Sequence, residues 1–132
     1  MTTESNKALS RRHYDEVLTG KNVALIDELY TSHIDLGDGG SMAREQFKAM
    51  AGMMLAAFPD VEVAIKDQIA EGDKVVTRWV AQATQRGEFM GVPPTGKRVT
   101  LKGIHIHRIE DGRIASLREE FDMFGLLQQL QT

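Results

Sequence analysis

The chain contains no cysteine, only three prolines, no surplus of basic residues and no long hydrophobic run. The missing cysteine excludes disulfide scaffolds, thiolate zinc sites, iron–sulfur clusters and cysteine nucleophiles. A net charge of −3 argues against nucleic acid as the main partner, because phosphate neutralisation needs a basic face. No apolar stretch approaches the roughly 20 residues of a membrane span. The opening MTTESNK is polar and lacks the apolar core of a signal peptide, so a cytoplasmic protein is expected. What is present is 132 residues, 42% hydrophobic and 27% charged. That is the size and composition of one globular domain over residues 1–132, without a low-complexity linker or internal repeat. Its chemistry must come from carboxylates, histidines and backbone.

The two halves carry different periods. Up to Pro59 the pattern is helical. A first helix is expected from about Thr3 to Leu18, with Leu9, His13, Tyr14, Val17 and Leu18 on its apolar side and Gly20 ending it. Asn22 is a suitable N-cap for a short second helix, with Leu25, Ile26, Leu29 and Tyr30 facing inward. Residues 31–40 read as a loop. Ser41 can cap a third helix with the stripe Phe47, Met50, Ala51, Met54 and Phe58, stopped by Pro59. Beyond Pro59, alternation marks strands: one through Val61, Val63 and Ile65, one over 74–86, one over 98–109 and one over 114–121. Glu71-Gly72-Asp73-Lys74 and Asp111-Gly112 are the turns between them, and 124–131 is a final helical turn or two. Three helices packed on one face of an antiparallel meander make an α+β domain.

The third strand reads G-I-H-I-H-R. Residues two apart share a face, so His105 and His107 point one way while Ile104 and Ile106 point the other. A strand apolar on one side and imidazole-bearing on the other borders a polar cavity and a packed surface, the latter a candidate subunit contact. The plain alternative is that the imidazoles are bonded to neighbouring carbonyls. An H-x-H pair supplies two metal ligands, but nothing fixes two more among His33, Asp35, Glu120 and Asp122, so no metal is expected. On the last strand, Ser116, Arg118, Glu120 and Asp122 share one parity. A regular two-residue turn at Asp111-Gly112 pairs Arg118 with His105 and Glu120 with Gly103, and sets Asp122 opposite Leu101.

Five segments occur in register: FPD, EGDKVVTRW, GEFMGVPPTGK, HRIEDGRI and FDMFGLLQQL. Together they resemble the SnoaL-like polyketide cyclase (ester cyclase) family of the NTF2-like superfamily. The resemblance implies an NTF2-like (cystatin-like) cone: a curved antiparallel sheet wrapped around three N-terminal helices and enclosing an apolar pocket. It implies intramolecular aldol condensation of a small carbonyl substrate without cofactor. The family's acid–base carboxylate, just before the GLLQQL segment, falls on Asp122, and its assisting histidine falls on His105. Three positions depart from the pattern: Arg118 stands in place of a tryptophan, Gln85 in place of a histidine, and Gly103 in place of a polar residue.

These readings set up an acid–base site of Asp122 and His105. Tyr14, Phe47, Met50, Met54, Trp79, Phe89, His107 and Arg118 are candidate wall residues. A carboxyl group in an apolar pocket can take a proton from carbon and return it to oxygen. The alternatives are a non-catalytic small-molecule-binding module, or an isomerase or epoxide hydrolase on the same fold. An isomerase would need Tyr14 or Tyr30 as a buried donor opposite a carboxylate. A small-molecule ligand, no nucleic acid or membrane partner, and a homodimer are expected.

Overall fold

The computed structural model describes residues 2–131. Helix α1 (Thr3–Arg12) starts at Thr2, whose hydroxyl accepts the Ser5 N–H while Ser5 Oγ accepts the Thr2 N–H. The expected single helix to Leu18 does not run on unchanged: His13–Thr19 winds as a π-helix. The wider turn holds Ser10, His13, Tyr14 and Val17 together on the buried side. A 3₁₀ turn over Val23–Leu25 leads into a single-turn α2 (Ile26–Leu29), and Asn22 makes no capping bond.

The stretch expected as loop is instead strand β1 (Tyr30–Asp35), followed by β2 (Ser41–Ala43). β1 pairs in parallel with a strand more than eighty residues later, a partner that no local pattern announces. Ser41 is therefore in a strand, and α3 (Arg44–Ala57) begins with Gln46 Oε1 accepting the Ala43 N–H. Pro59 follows its end as expected. On α3 the packed residues are Phe47, Ala51, Met54, Leu55 and Phe58, while Met50 is 54% exposed.

β3 (Glu62–Glu71), β4 (Lys74–Thr84), β5 (Arg98–Glu110) and β6 (Arg113–Phe121) form the meander, and α4 (Met123–Gln131) closes the chain. The six strands run in the order β2-β1-β6-β5-β4-β3. Helix α1 and the π-helical segment cross β3, and α4 packs on β5. One apolar cluster holds Tyr14, Phe58, Trp79, Val99, Leu126 and Leu130. A second holds Val17, Ile26, Leu29, Tyr30, Val75 and Ile114. None of the described helices is long and apolar enough to cross a membrane.

The β5–β6 register corrects the expected one by a single residue. Asp111 and Gly112 both have positive φ (50° and 77°), as a type I′ turn requires. Glu110 faces Arg113 and Ile109 faces Ile114, but Arg108 then faces Ser116, which leaves Ala115 as a bulge. From there on, every β6 side chain is turned to the opposite face from the expected one. His105 faces Glu119, Gly103 faces Phe121, and Arg118 faces Ile106 on the outer side of the sheet.

Candidate functional site

The registers stack the inner face into rows. Ile65, Trp79, Gly103 and Phe121 form one row; Gln68, Thr77, His105 and Glu119 the next; Ala70, Val75, His107 and Leu117 the third. The second row is polar across all four strands, and the π-helical segment lies over it.

His105 is 5% exposed and bonded at both ring nitrogens. Nε2–H donates to Glu119 Oε2, and Nδ1 accepts the Tyr14 hydroxyl at 2.6 Å. A carboxylate accepts only, so it selects the Nε2–H tautomer, and the Nδ1 lone pair is left for the phenol. Burial pushes the Tyr14 hydroxyl well above its ordinary pKa, the nearby Thr77 hydroxyl opposes this, and the Glu119 charge adds to it. Tyr14 therefore stays a protonated donor throughout the physiological range. The Glu119 side chain is 38% exposed, so the buried chain Tyr14–His105–Glu119 ends at solvent-reachable carboxylate.

Behind it lie two more imidazoles. His13 Nδ1 accepts the Tyr30 hydroxyl at 2.8 Å, and His107 Nδ1 bonds Ser10 Oγ. Burial, then the neighbouring His105, lowers the His13 pKa to about 3. Burial likewise holds His107 well below the ordinary value, with His13 and His105 adding to the effect. Three ring centroids lie only 5.6–6.1 Å apart, so a positive charge on His13 or His107 would be desolvated, and charges on both would also repel. His13 and His107 are thus neutral packing partners that fix the position of Tyr14 and His105.

Trp79 tilts against the His105 ring at 5.3 Å, and its Nε1–H is buried without an acceptor. An unmet buried donor of this kind costs about 1–3 kcal/mol. Gly103 is what admits the indole: a Cβ built there would lie 2.6 Å from Trp79 Cζ2 and 2.8 Å from Phe121 Cβ.

The remaining expected site residues are distributed as follows. Asp122 is exposed and caps α4, with Oδ1 accepting the Gly125 N–H at 2.9 Å. Arg118 lies on the outer face, where it bonds Ser116 Oγ and the Asp35 carbonyl and pairs with the Asp35 carboxylate. Phe47 packs on Tyr30 (4.7 Å) beside His13, and Phe89 packs on Phe58 (5.2 Å). Met54 lines the first core cluster. The structure therefore brings together Tyr14, Trp79, His105 and His107, and leaves Arg118 and Met50 away from them.

Of the residues gathered here, the sequence pattern gives Glu119 no place at the site, while it puts His13 and Tyr30 on buried faces without showing that they bond each other. The signal for Glu119 was present: Ile114 and Leu117, both buried, are three apart, which a regular strand cannot place on one face. Gln85, one of the departures from the resemblance, is fully buried and uses its whole amide. Nε2 donates to the Gly87 and Val92 carbonyls, and Oε1 accepts from Thr95 N–H and hydroxyl, pinning the 87–96 loop that carries Phe89.

Comparison with known proteins agrees with this architecture. The chain is 30% identical over 105 residues, 76% of each protein, to nogalonic acid methyl ester cyclase from Streptomyces nogalater. Among solved structures it superposes on IdmH, a candidate polyketide cyclase from Streptomyces antibioticus, with a TM-score of 0.82 and 30% identity. That match covers 96% of this chain and 99% of IdmH. It also superposes on AclR, a candidate hydroxylase from Streptomyces galilaeus, with a TM-score of 0.89 and 27% identity, covering 98% and 87%. The model of the SnoaL-like polyketide cyclases matches residues 8–130, nearly the whole chain, and the protein belongs to that family.

Proposed function

We propose that the protein closes a ring in a small poly-carbonyl substrate by acid–base catalysis at Glu119 and His105, with no cofactor taking part. The observation that carries this reading is the Tyr14–His105–Glu119 chain, buried at one end and open at the other. A carbon between two carbonyl groups has an acidic proton, within reach of a modest base. Glu119 takes that proton, the carbanion attacks a second carbonyl carbon to form the new C–C bond, and the carboxyl returns the proton to the resulting alkoxide. No net proton is consumed. His105 keeps one carboxylate oxygen engaged through Nε2–H and leaves the other for substrate, while Tyr14 holds the imidazole in that tautomer. Walls that fold the substrate supply the larger share of such catalysis.

Asp122 is the carboxylate that the family resemblance favours as base. Its capping bond to Gly125 and its place beyond the inner-face rows support Glu119 instead. Paired variants decide. Glu119→Gln is expected to lower turnover of nogalonic acid methyl ester about 10²–10⁴-fold, the range of a lost general base, and Asp122→Asn to lower it less than tenfold. The reverse order would place the base at Asp122.

A second reading, a carbonyl isomerase, has one specific support: Tyr14 is a buried, protonated phenol linked through His105 to a carboxylate. Proton transfer between two carbons of an unsaturated ketone, without ring closure, would identify it. For the assembly, we propose a homodimer through the outer sheet face, where Ile104 and Ile106 are 42% and 38% exposed.

A further inference from the structure

We infer that Trp79 is a substrate-binding residue whose indole Nε1–H holds the carbonyl oxygen that becomes negatively charged beside His105. The inference rests on the acid–base reading of this site and adds the group that receives the developing charge. Four observations carry it.

First, Trp79 Nε1 is a buried donor with no acceptor, and buried donors are almost always paired. Thr77 Oγ1 and His107 Nε2 nearby are also unpaired. Of the three, only Trp79 Nε1 belongs to a ring that packs against His105 while carrying a fixed donor that no tautomer or rotor can redirect, which marks it as a group whose partner arrives with the ligand. Second, the placement is specific. Trp79 lies in the row next to that of His105, and the two rings are 5.3 Å apart. Third, the indole is turned so that Cζ2 lies over Gly103. Nε1 and Cζ2 are both bonded to Cε2, so the edge that carries the N–H is the edge that faces β5. Fourth, the neighbouring wall is not sealed: Phe121, across Gly103 in the same row, is 38% exposed, as is the Glu119 side chain in the next row.

The glycine and the tryptophan therefore act as a pair. Any side chain at position 103 would occupy the space taken by the indole edge, which a Cβ would approach to 2.6 Å. Where the resemblance leads one to expect a polar side chain on β5, this protein has none and presents an N–H from β4. An indole N–H donates and cannot accept, and it does not ionise. It thus binds a carbonyl or enolate oxygen and rejects a hydroxyl presented as a donor. The preferred ligand class is a β-dicarbonyl compound, bound with one oxygen on Trp79 and the carbon between its carbonyls toward Glu119.

The protein has a single tryptophan, so one indole ¹H–¹⁵N resonance reports this group alone. The full chain is titrated with benzoylacetone, a β-diketone, while that resonance is followed. A saturating downfield displacement is expected, as an acceptor oxygen reaches the N–H. Trp79→Phe keeps the aromatic ring and removes the donor. It is expected to lower kcat for nogalonic acid methyl ester about 10²-fold, with a smaller change in KM, the effect of losing one donor to a developing oxyanion. An indole resonance that stays in place to the solubility limit of the diketone overturns the inference. So does a Trp79→Phe protein with undiminished kcat. His105→Ala separates the two ideas: if its turnover is normal, the acid–base reading fails, while the indole titration still decides the role of Trp79.

Discussion

Two buried neutral histidines make the fold acid-labile in a window where few other groups act. His13 has a folded-state pKa of about 3 against an ordinary value of 6.5, and His107 is also held well below 6.5, both mainly by burial. A depressed histidine pKa means that the unfolded chain binds protons which the folded chain refuses. Stability therefore rises with pH, is fully present above pH 6.5, and falls as pH drops toward the folded values. Each proton is worth about 1.4 kcal/mol per pH unit once the unfolded imidazole is charged. For His13 the loss reaches about 2 kcal/mol by pH 5, and His107 adds to it in the same direction, against the roughly 5–15 kcal/mol that stabilises a domain. Asp27, Asp35 and Asp60 have lowered pKa values, from bonds to Lys48, Gly37 and Thr84 respectively, and lose their contribution only as pH falls through the ordinary carboxylate value of 3.8 and below. They do not blur the window between pH 6.5 and 4.5. The assay is urea unfolding at half-unit steps from pH 7.5 to 4.5, followed by tryptophan fluorescence and circular dichroism. Replacing His107 by Gln should roughly halve the slope of unfolding free energy against pH. A wild-type stability that is flat from pH 6.5 to 5 would refute the claim that these imidazoles are buried and neutral.

Further outcomes follow from the loop and from the outer face. Gln85→Leu removes four hydrogen bonds from a fully buried side chain and should cost about 2–4 kcal/mol. Hydrogen exchange at the Thr95 and Gly96 amides should accelerate before that of β4, and unchanged exchange at Thr95 would show that the amide does not hold the loop. Ile106→Lys sets a charge on the proposed contact face and should weaken a dimer by about 100-fold, while the circular dichroism spectrum stays unchanged. Sedimentation equilibrium reads this directly, and a monomeric wild-type protein would remove the proposal.

Most of the second half was legible because its signals are local. The Asp111-Gly112 turn, Pro59 after α3 and the alternation of β4 and β5 each depend on residues within a few positions of one another. The shared face of His105 and His107 followed from period two alone, and both are buried on the inner side. β1 was read as loop because its strand character comes from pairing with β6 across the chain, not from its own composition. The carboxylate beside His105 was missed for a smaller reason: one bulged residue, Ala115, reverses which of Arg118 and Glu119 faces inward.

By itself, then, the sequence determined the class of fold, the family resemblance and the chemical inventory: carboxylates, imidazoles and phenols, with no thiol. It also determined that His105 and His107 share a wall, because side-chain alternation in a strand is a property of the backbone. Only the tertiary structure decided the partners. Register across a bulge chose Glu119, the π-helical turn brought His13 and Tyr14 over the sheet, and the absence of a side chain at Gly103 let the indole of Trp79 lie beside the imidazole. Each of these depends on where one element sits relative to another to within a single residue. Packing of distant segments sets that placement, and local propensity does not.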